Sequence, residues 1–273
     1  MQRQIEISSP ATGYWRATFR NPPINLIDLD TIAELSELVS RLEQESDLKV
    51  VVFDSADPDY FLAHYDILID AARTAAMRPG PTGMPPWLDV LVRLSRAPVV
   101  SIASIRGRAR GAGSEFVLAC DMRFASAEKA VLGQFEVGVG AVPGGNPMVR
   151  LAGLMGRGRA IEIIAGADDF PGALAERYGY VNRALPDGEL DGFVDDFARR
   201  IAGFEKDALV SAKRFVDEVT LPDDARFPPA LDAFRKTVAK PGARARIAAL
   251  LGRGLQTRSD VELDLGRHVA GGP

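Results

Sequence analysis

Residues Val99–Glu115 read VVSIASIRGRARGAGSE. An apolar run of strand length passes into a loop carrying Gly107, Gly111 and Gly113, and a helix is predicted from Ser114 to Cys120. A buried strand feeding a glycine loop and then a helix is the signature of an α/β unit. The loop N–H groups and the first N–H groups of the helix have no internal acceptor. They are suited to an anion or to an oxygen that gains negative charge during a reaction, and glycine lets a ligand approach the backbone. Glu115 opens this helix. A carboxylate there is either a dipole-stabilised structural group or a catalytic one.

Downstream, Ala130–Gly145 reads AVLGQFEVGVGAVPGG. Glu136 follows a predicted strand at 130–134 among apolar residues and glycines. Burial raises a carboxyl pKa and suits it to proton transfer; the structural alternative is a turn cap. Two carboxylates on neighbouring connections suggest paired acid and base roles. Upstream, Tyr60–Asp66 reads YFLAHYD. His64 has no nucleophile elbow beside it, so a triad is unsupported, and it reads as structural or exposed. Arg106, Arg108 and Arg110 form a basic cluster, either a solvated face or a contact for phosphates on a small ligand.

The rest of the chain extends this α/β pattern. Strands are predicted at 4–8, 14–20, 49–53 and 122–125, with 54–62 left as loop. Apolar residues at Ile32, Leu35, Leu38, Val39 and Leu42 predict a helix over 30–45 capped by Asp30 or Thr31. A further helix is predicted near Tyr65-Asp66. Pro79, Gly80, Pro81, Gly83, Pro85 and Pro86 crowd residues 73–86, which reads as a mobile loop. Beyond about residue 145 helices dominate, at 147–154, 157–165, 171–178, 188–203 and 206–219, with a mostly helical tail from 224.

The 273 residues carry 33 Lys+Arg against 37 Asp+Glu, a net charge of -4. That balance argues against a nucleic-acid or membrane-surface binder. Cys120 is the one cysteine, which excludes an internal disulfide and a cysteine zinc site. His64 and His268 are the two histidines. With neither a signal-peptide pattern nor a long apolar span, the expectation is a cytoplasmic protein.

The motifs, in order and spacing, resemble the crotonase (enoyl-CoA hydratase/isomerase) superfamily over nearly the whole chain. Asn21-Pro22-Pro23-Ile24-Asn25-Leu26 is similar to N-x-P-x-N-A-L, and Phe61–Asp66 to F-x-A-G-x-D. Gly111–Glu115 through Cys120-Asp121, Gly133–Glu136 and Val142–Gly145 follow. Ala175–Asn182 is similar to A-x-x-x-G-L-V-N and Ala208–Arg214 to A-L-x-x-A-K-R.

The resemblance implies an α/β fold: a spiral core of ββα units over residues 1–200 and a C-terminal helical region over 201–273 that trimerises, giving a homotrimer or a dimer of trimers. It implies an acyl-CoA thioester as substrate, with no metal or other cofactor and CoA arriving as part of the substrate. By motif position the thioester oxygen meets the backbone N–H groups of Tyr65 and Ala112. Ala63 meets the adenine of CoA, and Ile24, Leu26, Asp66, Ile67 and Gly111 complete the binding set. Glu115 and Glu136 fall on the two glutamate positions of the hydratases. Hydration of a 2-enoyl-CoA leads, with Glu136 protonating the α-carbon and Glu115 activating water. The alternatives are Δ3,Δ2-isomerisation or another enolate reaction, a CoA-thioester-binding protein with little catalysis, and RNA binding, which the acidic charge disfavours.

Three positions depart from the family pattern. His64 and Tyr65 replace small residues, and Phe135 stands where proline is frequent. A tyrosine ring at 65 implies an acyl group other than a plain linear chain.

Overall fold

The computed structural model describes residues 3–69 and 71–271. Its strands are β1 (Ile5–Ala11), β2 (Tyr14–Phe19), β3 (Val50–Ser55), β4 (Tyr60–Leu62), β5 (Val100–Ile105), β6 (Arg108–Arg110), β7 (Met122–Ser126), β8 (Val131–Gly133), β9 (Asp169–Pro171) and β10 (Arg183–Leu185). They form two sheets, ordered β1-β2-β3-β5-β7-β10 and β4-β6-β8-β9. The helices are α1 (Leu29–Gln44), α2 (Ala71–Ala76), α3 (Pro86–Arg96), α4 (Ala112–Ala119), α5 (Pro147–Gly166), α6 (Gly172–Tyr178), α7 (Asp187–Ala202), α8 (Lys206–Thr220), α9 (Phe227–Val238), α10 (Pro241–Gly252), α11 (Asp260–Leu263) and α12 (Leu265–Ala270).

The chain alternates between the sheets. Each of β3, β5 and β7 in the large sheet is followed by β4, β6 or β8 in the small one, and then by helix. These strands pair in parallel within each sheet, as Val50 with Val100, Ile102 with Met122, Tyr60 with Arg108 and Arg108 with Val131, while β1 with β2 and β8 with β9 are antiparallel. Parallel neighbours require a crossover, so each ββα unit advances both sheets by one strand. The result is the expected spiral.

The run Val50–Phe53 is buried on both faces because two cores flank it. Val51 and Phe53 join α1, α3 and α4 in the larger cluster. Val50 and Val52 face Leu190, Val194, Ala198 and Ile201 of α7. A parallel sheet covered on both sides reads as such an uninterrupted run. The C-terminal helices make a third cluster, in which Leu250, Leu255, Val261, Leu265 and Val269 pack on Phe135, Val139 and Ala141.

Several local expectations are corrected. The cap of α1 is Asp28, whose side chain accepts from Thr31 N–H. Residues 54–62 contain β4, and β9 and β10 interrupt the helical half. No helix starts at Tyr65; that residue bridges Ile27, and helix begins at Ala71. The proline-rich segment is not loose, because Asp89 Oδ1 accepts from Thr82 N–H at 2.9 Å and from Thr82 Oγ1 at 2.7 Å. The two helices expected at 147–154 and 157–165 are present: α5 is two helical stretches that meet at a kink at the non-helical Gly156.

Candidate active site

The crossover from β6 to α4 turns at Gly111, which has φ of 50° and ψ of -122°. A side chain there is doubly disfavoured. The backbone is left-handed, and a Cβ would lie 2.6 Å from Glu136 Oε1 and 3.0 Å from Phe135 Cε1. The turn thus places Glu136 against the start of α4. Glu115 lies in the first turn of that all-buried helix. Its Oε1 accepts from Gly145 N–H at 2.7 Å and its Oε2 from Trp87 Nε1–H at 2.8 Å. A Cβ at Gly145 would overlap this carboxylate.

The two glutamates sit in unlike surroundings. Burial pushes the Glu115 carboxyl up from its ordinary value, while the Trp87 and Gly145 donors and the charge of Arg150 oppose the rise. Glu136 has less support, and its Oε2 is buried without a hydrogen-bond partner among the described residues. Burial first, and the nearby Glu115 charge second, push it up to about 8.

Next to this pair two N–H groups are aimed by their own peptides. The His64 carbonyl accepts from Ile27 N–H at 2.9 Å, so the Tyr65 N–H of the same planar peptide points the other way. The Gly111 carbonyl accepts from Glu115 N–H at 2.9 Å and from Gln134 Nε2 at 3.4 Å. That turns the Ala112 N–H outward in the same manner. Beyond Arg110 N–H to the Ala63 carbonyl, at 3.2 Å, the ladder between these segments stops. The next bond in register, Tyr65 N–H to the Arg110 carbonyl, is not made.

The remaining expected residues are spread around this centre. Ala63 and Ile24 are buried with Tyr60, and Leu26 packs against them. Ile67 packs with the C-terminal cluster. Asp66 Oδ1 accepts from Leu68 N–H and, at 2.6 Å, from Gln256 Nε2. The phosphate reading of the arginine cluster is disfavoured. Arg106 pairs with Asp187 and Asp191, Arg108 donates to the Leu263 carbonyl, and Arg110 grips Asp169 through two 2.6 Å bonds.

Sequence reasoning missed three contributors. Trp87 is separated from Glu115 by 28 positions and carries no motif. Gln134 stands beside the singled-out Glu136 but gave no sign of its bond to Gly111. Glu262, 198 positions from His64, is the buried partner of that imidazole.

Among the described residues no helix is long and apolar enough to cross a membrane. Residues 12–244 match the enoyl-CoA hydratase/isomerase family. The chain is 29% identical over 200 residues to a short-chain-enoyl-CoA hydratase of Clostridium acetobutylicum, covering 72% of this chain and 75% of that one. It is 28% identical over 211 residues to a Dictyostelium discoideum protein assigned as a mitochondrial enoyl-CoA hydratase, covering 76% and 74%. A crystal structure from Streptomyces avermitilis, of a protein provisionally assigned as an enoyl-CoA hydratase, superposes with a TM-score of 0.93. The two are 44% identical, and the match covers 97% of this chain and 96% of that one. The spiral of ββα units, the glutamate pair at its turns and these likenesses agree: the chain belongs to the enoyl-CoA hydratase/isomerase family of enzymes, which act on acyl-CoA thioesters.

Proposed function

We propose that the protein hydrates a 2-enoyl-CoA thioester. The observation that carries this reading is the unequal treatment of the two glutamates. Glu115 has an N–H donor on each oxygen, which supports its ionised form. Glu136 has a partnerless buried oxygen and holds its proton up to about 8. One site therefore contains a base and an acid at the same pH.

In the reaction the thioester oxygen lies against the N–H groups of Tyr65 and Ala112. As water adds to C3, negative charge grows on that oxygen, and each preset donor lowers the barrier by roughly 3 kcal/mol. Glu115 takes the proton from the attacking water. Glu136 delivers its own proton to C2. Ala63, Ile24, Leu26, Asp66, Ile67 and Gly111 form the surrounding binding surface for the CoA thioester. The tyrosine at position 65, in place of a small residue, favours an acyl group other than a plain linear chain, such as an aryl one.

We further propose a homotrimer or a dimer of trimers, acting in the cytoplasm. Support for self-association comes from α8, which has no buried residue and exposes Phe215, Val216 and Val219 by 61%, 58% and 83%.

The test is loss of enone absorbance over a panel containing crotonyl-CoA, a long-chain enoyl-CoA and cinnamoyl-CoA. Wild type, Glu115→Gln and Glu136→Gln are run together. Turnover by wild type alone supports the two-glutamate hydratase. A shifted double bond without added water moves the reading to isomerisation. Thioester binding without turnover moves it to a binding role.

A further inference from the structure

His64 lies between two acceptors. Its Nδ1 is 2.8 Å from the Tyr65 carbonyl oxygen, and its Nε2 is 2.8 Å from Glu262 Oε1. A carbonyl only accepts, so Nδ1 carries a proton. Glu262 Oε1 also accepts from Gln256 N–H at 2.6 Å, and this second donor favours the carboxylate form although Oε2 is buried without a partner among the described residues. Against a carboxylate, Nε2 carries a proton as well. His64 and Glu262 are 1% and 0% exposed.

Charge balance gives the same answer. The charged neighbours of the pair are Arg110 of β6 and, through it, Asp169 of β9. Those two neutralise each other. Tyr60 of β4 faces Glu262 as a neutral phenol, held up at about 12, chiefly by burial. Arg108 turns its guanidinium to the Leu263 carbonyl, and Asp66 faces Gln256. Phe135 packs edge-on to the imidazole at 5.3 Å. Beside an ionised Glu262, a neutral imidazole would leave a buried, uncompensated charge, which is costly.

We propose that His64 is a positioning residue: a buried imidazolium that Glu262 holds charged and that fixes the Tyr65 backbone for the thioester oxygen. Both peptides meeting at Tyr65 are pinned. The preceding one is held by Ile27 N–H on the His64 carbonyl. The following one is held by Asp66 N–H on the Ile27 carbonyl at 2.9 Å and by His64 Nδ1–H on the Tyr65 carbonyl. The imidazolium also places the positive end of the ion pair next to the residue whose N–H meets the developing charge. Through Glu262, whose carbonyl accepts from Arg110 Nη1 at 2.6 Å, the same clamp joins α11 to β6. The burial that disfavours the charged imidazole is outweighed by Glu262, so its pKa is raised, while that of Glu262 is lowered.

This role rests on Tyr65 serving the thioester oxygen, and the experiment separates the two claims. The protein has two histidines, so nitrogen NMR of 15N-histidine-labelled protein, assigned with a His268→Gln variant, reads each ring. Wild type is expected to show His64 with both ring nitrogens protonated well above the ordinary histidine pKa of about 6.5. Glu262→Gln should lose that signature and shift the Tyr65 amide resonance. Its kcat should fall about tenfold near pH 8 with KM little changed, and the deficit should shrink as the pH is lowered and the imidazolium reforms. His64→Gln should show a similar deficit at every pH. A neutral His64 in wild type at neutral pH overturns the proposal, as does a folded Glu262→Gln protein with wild-type kcat throughout. If wild type hydrates none of the panel, the hydratase reading falls. The ring protonation and the Tyr65 amide shift then still decide whether the clamp exists.

Discussion

Trp87 Nε1–H donates to Glu115 Oε2, joining the first turn of α3 to the first turn of α4 at 2.8 Å. The indole nitrogen can only donate, so it favours the ionised carboxylate. Trp87→Phe removes the donor and keeps an aromatic ring. The Glu115 pKa should rise further, because a contribution that lowers it is lost. A base must be ionised to act, so the acid limb of kcat/KM should move to higher pH. A hydrogen bond to a charged group is worth about 1.5–3 kcal/mol, so about tenfold or more should be lost at the low-pH end. An unmoved limb in the pH profile would count against the bond's role.

Glu136 should set the opposite limb. As the proposed proton donor it works while protonated, so kcat/KM should fall as pH rises through about 8. The same shift affects stability. The ordinary value is 4.5, so between 4.5 and about 8 the folded protein keeps a proton that the unfolded chain has lost. Stability from this group is full below 4.5 and declines as pH rises across that window. Glu136→Gln stays neutral and should be more stable than wild type at neutral pH by about 3 kcal/mol. Urea unfolding at several pH values measures the difference.

Gly145→Ala should damage catalysis more than folding. The new methyl group would overlap the Glu115 carboxylate, which has to shift. A displacement near 1 Å at a reacting group costs about a hundredfold in rate. Thermal unfolding together with kcat separates the two effects.

The strands and helices that were legible are those long enough to show a period. Val50–Ser55 and α1 were read within a residue or two. β4, β6, β8 and β9 have three residues each. Three residues cannot display alternation, so of the small sheet only β8, inside the predicted strand at 130–134, was legible from the residues themselves. Glu115 and Glu136 were visible because each sits beside glycines in an apolar stretch. Trp87 was not, since its indole reads as the apolar face of an amphipathic helix. The partner of His64 was invisible for a plain reason. No local pattern links positions 198 apart.

The exposed face of α8 predicts an oligomer. Phe215, Val216 and Val219 share one face at helical spacing. The opposite side is tied to the core, where Lys213 Nζ donates to Asp121 and to the carbonyls of Ala97 and Val99. Light scattering after size exclusion should give three or six subunits for wild type. A Phe215→Glu/Val219→Asp double variant should give a smaller species with unchanged helical content. A wild-type monomer would sink the expectation.

The His64–Glu262 contact also sets a timetable for a newly made chain. His64 leaves the ribosome 198 residues before its carboxylate partner. At about 5–20 residues per second that delay is on the order of 10–40 s. During it β4 and the segment after it can join the spiral, but His64 has no anion to keep it charged. Residues 250–269, which cover Phe135 and Val139, have not yet arrived. The nascent protein can thus acquire its sheets before residues 250–269 cover Phe135 and Val139 and before Glu262 reaches His64.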